Sequence, residues 1–171
     1  MLEFYDYSSR RGILVPLLPK VHALLAENAR MDKVAGQEPP AHIITWQQAE
    51  RKKLVDINRR FLVAMEGTAL AGIFFYLHKK TETGTEIYIE DLHIAWTHRN
   101  NPNVIEGLLK KMEFDPAVRD AVFYAGQRVK IEQDKEILAS VGLKDERTDE
   151  WESLGSLQQT INTLKIRYNR A

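Results

Sequence analysis

Cysteine is absent from the 171 residues, which removes disulfide staples, thiolate metal ligands and a cysteine nucleophile at once. An excess of either charge is absent too: 24 Lys plus Arg face 24 Asp plus Glu, so no global field draws the chain to nucleic acid or to an anionic membrane. No apolar run approaches the roughly 20 residues that a bilayer-crossing helix needs. The opening MLEFYDYSSRRG lacks the charged-then-apolar layout of a signal peptide, so a soluble cytoplasmic protein is the expectation. Serine stands in no nucleophile-elbow motif, which leaves a Ser-His-Asp site without support. The five histidines, His93 and His98 among them, are too scattered to suggest a metal site. Trp46, Trp96 and Trp151 have no basic stripe beside them, so they read as core or cleft wall rather than a base-stacking platform.

What is present suits one domain over residues 1–171: 44% of the residues are hydrophobic, ample for a single core with room for a cleft. Leu2 to Tyr7 reads as an edge strand. Leu17, Leu18, Val21, Leu24 and Leu25 recur at helical spacing between Pro16 and Met31. The segment from Asp32 to His42, with Gly36 and Pro39-Pro40, reads as a loop. Thr45-Trp46-Gln47-Gln48 has the form of a capping box, opening a helix to about Asn58. The basic cluster Arg51, Lys52, Lys53, Arg59 and Arg60 reads as a solvated helix face.

Phe61–Met65 and Ala69–His78 are β-rich runs joined by Glu66-Gly67-Thr68, which suits a hairpin. A second glycine-bearing turn at Gly84 leads into Glu86–Trp96, completing a three-strand antiparallel meander with that last strand interior. Within it stand Glu90 and Asp91, and burying a charge needs a reason. Because neighbouring strand residues face opposite sides, only one of the two is expected to reach a cleft. Asn101-Pro102 supplies a helix cap and a first-turn proline. Val104, Ile105, Leu108, Leu109 and Met112 then form the apolar stripe of a helix ending near Phe114. The apolar run Ala121–Ala125 predicts a buried strand closing a right-handed βαβ unit, so the sheet turns parallel there. A helix from about Ile131 to Ser140, ending at Gly142, follows. For the remainder, Leu154, Leu157, Ile161, Leu164 and Tyr168 fit one helical face. Leu164, Ile166 and Tyr168 alternate as in a strand, and the reading adopted is a strand pair, Glu146–Trp151 and Asn162–Arg170.

This order of elements, with Ile89-Glu90-Asp91-Leu92-His93-Ile94 running into a polar loop and a helix, resembles the GNAT superfamily of acyl-CoA-dependent N-acetyltransferases. Ile137 to Leu143 is similar to the end of the family's fourth helix. The resemblance implies an α/β fold with a mixed, mostly antiparallel central sheet of about seven strands and helices on both faces. It also implies acetyl-CoA as cosubstrate and a small-molecule or peptide amine as acceptor. The backbone around Ile94, Ala95 and Trp96 would meet the pantetheine arm, and Arg99 with the amides of Asn103, Val104 and Ile105 would meet the pyrophosphate. Glu90 or Asp91 would be the base, acting through water. The family's general-acid tyrosine falls on Ile137 here, and Tyr124, at the end of the fifth strand, reads either as its substitute or as a buried structural tyrosine.

The phosphate loop departs from the family pattern. Arg99-Asn100-Asn101-Pro102-Asn103-Val104 keeps the arginine but has neither small residue that lets a backbone approach a pyrophosphate, and Pro102 lacks an amide proton. Two functions therefore stay open. One is an N-acetyltransferase; the other is a GNAT-like domain without catalysis, acting as a ligand-binding or regulatory module. An exposed terminal strand edge points to a homodimer.

Overall fold

Two hairpins, one crossover and a final strand build the sheet that positions everything else. The structure is a computed structural model and describes residues 1–31, 54, 57–126 and 151–168. Strand β1 (Leu2–Asp6) pairs antiparallel with β2 (Arg59–Glu66), which pairs with β3 (Ala69–Thr81), which pairs with β4 (Gly84–Ile94). Gly67, at φ +62°, makes the tight β2–β3 turn that a side chain would strain. β5 (Val122–Gly126) lies parallel to β4, and β6 (Trp151–Gly155) closes the order β1-β2-β3-β4-β5-β6 antiparallel to β5.

Helices cover both faces. On one, α1 (Arg11–Leu14) and α2 (Leu18–Met31) place Leu14, Leu18, Val21 and Leu25 against Phe61, Val63, Ile73 and Phe75. On the other, α3 (Pro102–Glu113) places Val104, Ile105, Leu108, Leu109 and Met112 against Leu62, Phe74, Ile87 and Ile89. The α3 start is as the sequence predicts: the Asn101 side chain accepts from the Asn103 amide at 3.0 Å and Pro102 takes the first turn. Burying several aliphatic side chains per helix, at about 1.5–3 kcal/mol each, is what holds the three layers together.

Three expectations are corrected. Asn162–Arg170 is not a strand: α4 (Leu157–Tyr168) is a helix, and the sheet has six strands among the described residues. Packing decides between the two periods. Ile161 and Leu164 are buried in the α3-side core while Ile166 is 62% exposed, which is helical and not alternating. A capping box starts it, with the Ser156 hydroxyl accepting from the Gln159 amide and the Gln159 side chain accepting from the Ser156 amide. Second, Arg59 and Arg60 belong to β2, not to a solvated helix face, and Arg59 is 2% exposed. Third, Glu90 and Asp91 do not face opposite sides, for a reason given below. The helix expected from Trp46 lies largely outside the described residues, and the helix at Ile131–Ser140 lies wholly outside them. Of the strand expected at Glu146–Trp151, only Trp151 is described, and it opens β6.

Candidate active site

β4 and β5 run side by side only from Glu86–Val122 to Ile89–Ala125; beyond that β4 continues through Ile94 while β5 ends at Gly126. The strands part at a bulge. Tyr76 stands opposite Ile89 and Phe75 opposite Asp91, leaving Glu90 as an extra residue without a counterpart on β3. An inserted residue bends its strand and sharpens the twist, and here it does so where β5 leaves.

The bulge also resets which way side chains point. Asp91 is paired with Phe75 and shares its face, the one covered by α1 and α2. Glu90 meets Arg59, which stands opposite Leu77, two residues along β3 from Phe75, and so lies on that face as well. Both carboxylates thus sit on one side of the sheet, and both are buried. Glu90 accepts from Arg59 Nε at 2.6 Å and from Nη2 at 3.0 Å, a two-point grip that fixes its orientation. Arg11 anchors that strand start in turn, donating to the carbonyls of Ser8, Leu54 and Arg59. Asp91 Oδ1 lies 3.6 Å from His93 Nε2, within ion-pair reach but beyond a hydrogen bond.

Tyr124 joins the same face through its pairing with Tyr88, the rings stacked at 5.2 Å, and Trp151 stands edge-on to Tyr88 at 4.8 Å. This aromatic row lies one residue short of the point where the strands part. Partial burial and a hydrogen bond to the Glu86 carboxylate push the Tyr88 hydroxyl up to about 12.

Along the diverging part of β4 the backbone groups have partners. The Ala95 amide donates to the Ala71 carbonyl on β3 at 2.8 Å, so the Ile94 carbonyl, across the same trans peptide, points away from β3. It accepts from Asn28 Nδ2 of α2 at 2.9 Å. The Leu92 carbonyl accepts from the Tyr168 hydroxyl at the end of α4, also at 2.9 Å. Burial raises the pKa of that hydroxyl. Trp96 opens a 3-10 turn, is 38% exposed, and carries the Arg99 guanidinium over its ring at 4.5 Å.

At the start of α3 the donors are largely spent. Pro102 has no amide proton, the Asn103 amide is held by the Asn101 side chain, and the Val104 amide donates to the Asn101 carbonyl at 3.3 Å. The Val104 and Ile105 side chains are core, so only their backbones face this end. Sequence reasoning passed over Asn28, Arg59 and Tyr168. Arg59 was hidden in a basic cluster, Tyr168 was read as a residue of a terminal strand, and nothing local distinguishes Asn28.

A meander joined through one parallel crossover, with the fourth strand splaying from the fifth, is the GNAT arrangement, and the chain has that fold. Solved structures agree with it. A possible acetyltransferase from Clostridium difficile 630 superposes with a TM-score of 0.54 at 11% identity, over 89% of this chain and 96% of that one. An acetyltransferase of the GNAT family from Staphylococcus aureus Mu50 gives a TM-score of 0.50 at 10% identity, over 83% and 79%. No family model and no curated protein matches the sequence. No helix among the described residues is long and apolar enough to cross a membrane.

Proposed function

We propose that this chain is an acyl-CoA-dependent N-acyltransferase that moves an acetyl group from acetyl-CoA to a primary amine of a small molecule or peptide. The observation that carries the reading is the parting of β4 from β5 at Glu90, beside two carboxylates on one face. The parted strands suit a pantetheine arm, which meets the β4 backbone at Ile94 and Trp96, since the Ala95 amide is committed to Ala71. The phosphate end is less well provided. Arg99 would supply its charge there, while the amides of Asn103 and Val104 are already bonded.

In this reaction the neutral amine attacks the thioester carbon, a C–N bond forms and the C–S bond breaks. Asp91, through water, takes the proton that the amine loses. Tyr124 returns one to the departing thiolate, so protons balance. Glu90, gripped by Arg59, is neutralised by that pair and fixes the bulge of β4 beside Asp91. Calorimetry with acetyl-CoA, followed by an amine panel, tests the reading. Binding at sub-millimolar concentration and turnover lost in Asp91→Asn support it, and absence of acetyl-CoA binding refutes it.

A second reading is favoured by two bonds: the Asn101 cap on the Asn103 amide and the Tyr168 hydroxyl on the Leu92 carbonyl. The first occupies an amide that would meet the pyrophosphate, and the second a carbonyl of the same strand that would meet the pantetheine arm. On this reading the fold is kept as a non-catalytic ligand-binding or regulatory module. Turnover of acetyl-CoA with any amine, abolished by Asp91→Asn, overturns it.

A further inference from the structure

Asn28 is 5% exposed, yet only half of its carboxamide is satisfied: Nδ2 donates to the Ile94 carbonyl and Oδ1 has no hydrogen-bond partner. The orientation is not interchangeable. A carbonyl only accepts, so Nδ2 must face Ile94 and Oδ1 is the atom left without a donor. A buried amide oxygen without a donor is rare in folded proteins and costly. The position is equally specific, because the Ile94 carbonyl points away from β3, toward the side where β5 has parted from β4. α2, which carries Asn28, covers the same face of the sheet that holds Glu90 and Asp91.

We infer that Asn28 is a positioning and specificity residue for the acceptor, its Oδ1 accepting an N–H of the substrate's primary amine. The chemistry follows from the groups present. An acceptor oxygen requires a donor ligand, which excludes a carboxylate or a phosphate. The Asp91 carboxylate on the same face favours a donor that arrives as a cation, and a primary ammonium is both. Holding one N–H at Oδ1 fixes the nitrogen, so that when a proton leaves toward Asp91 the lone pair points in a defined direction. The inference rests on the acyltransferase reading of this site and names the residue that would read its acceptor.

The first test uses the side-chain amide resonances of Asn28 in 15N-labelled wild-type protein, assigned by their loss in Asn28→Asp. Methylammonium chloride is expected to shift them saturably, while tetramethylammonium chloride, which carries the charge but no N–H, leaves them in place. Equal responses, or none, would mean that Oδ1 holds an ordered water only, and the inference falls. The second test is steady-state kinetics of Asn28→Leu with acetyl-CoA and the best amine of the panel. The expected result is an amine KM raised by about tenfold with the acetyl-CoA KM within about twofold of wild type. The opposite split would assign Oδ1 to an amide of the acyl donor and overturn the acceptor role. If acetyl-CoA does not bind at all, the acyltransferase reading fails, and the methylammonium titration still decides this inference by itself.

Discussion

Arg59 and Glu90 face each other from β2 and β4 across the intervening β3, joined by two hydrogen bonds of 2.6 and 3.0 Å with both side chains at most 2% exposed. A pair this deep gains little over an apolar pair of equal shape, but either half alone is a stranded charge. Glu90→Gln and Arg59→Met are each expected to cost about 3–5 kcal/mol in urea unfolding, whereas the double variant Arg59→Met/Glu90→Leu recovers most of that. Single losses below about 1 kcal/mol would show that water reaches the pair. The same cost makes Glu90→Gln a poor test of catalysis, which is why Asp91→Asn is the informative substitution.

Asp115 gathers three donors: His78 Nε2 at 2.7 Å, the Tyr76 hydroxyl at 2.9 Å and the Ala117 amide at 3.0 Å. Burial pushes its carboxyl up, but the hydrogen bonds from His78 and the Ala117 amide, with that of Tyr76, outweigh it and hold the pKa below the usual carboxylate value. A depressed folded pKa gives stability that is fully present above the unfolded value of about 3.9 and is lost as pH falls toward and through the folded one. Urea unfolding between neutral pH and about pH 3 should therefore steepen in its decline below about pH 4 for wild type, and Asp115→Asn should remove that extra decline. At neutral pH the variant is expected to be about 1–3 kcal/mol less stable.

Gly72 of β3 lies directly under Val104 and Leu108 of α3. A Cβ there would lie 2.9 Å from Val104 Cγ1 and 3.2 Å from the His93 carbonyl oxygen, and the second of these is backbone that cannot swing aside. Gly72→Ala is expected to lower stability by about 1–3 kcal/mol through overpacking. Adding Val104→Ala should return part of it, because the tightest of the three contacts, the third being Leu108 Cδ1 at 3.3 Å, disappears. Thermal melts of the single and double variants check this, and a Gly72→Ala protein as stable as wild type would contradict the spacing.

The capped start of α3 makes a prediction about acetyl-CoA. Asn101→Gly frees the Asn103 amide at a cost of only a few tenths of a kcal/mol in capping, and Pro102→Gly restores the missing amide proton. Calorimetry should find tighter CoA binding in Asn101→Gly and tighter still in the double variant, with Arg99→Ala moving the other way. Unchanged affinity across all three would mean that the pyrophosphate does not bind at this helix.

What could be read from the sequence and what could not divide along the range of the forces involved. The meander and α3 were legible because alternation, the two glycine-bearing turns and Asn101-Pro102 are local signals. α4 was misread although Ser156-Leu157-Gln158-Gln159 is a capping box, since Leu164, Ile166 and Tyr168 satisfy a period of two as well and only contact with α3 exposes Ile166. The bulge at Glu90 has no local signature at all: it is a mismatch in register with β3, set by the partner strand. Glu90, Asp91 and Arg99 could be singled out as residues of interest. That both carboxylates share a face, and that Asn28 and Arg59 stand with them, depends on strands and a helix brought together from distant parts of the chain.

The Tyr168 hydroxyl on the Leu92 carbonyl spans 76 positions of sequence, and it bears on how the protein is made. β6 and α4 leave the ribosome after every other described element, yet Leu154, Ile161 and Leu164 belong to the same core as Leu62 and Phe74. Until they emerge, β5 lacks the neighbour that pairs its outer edge, and part of the α3-side core has no cover from α4. A nascent or truncated chain stopping before Trp151 is thus a sticky intermediate, prone to edge-to-edge association and to capture by chaperones.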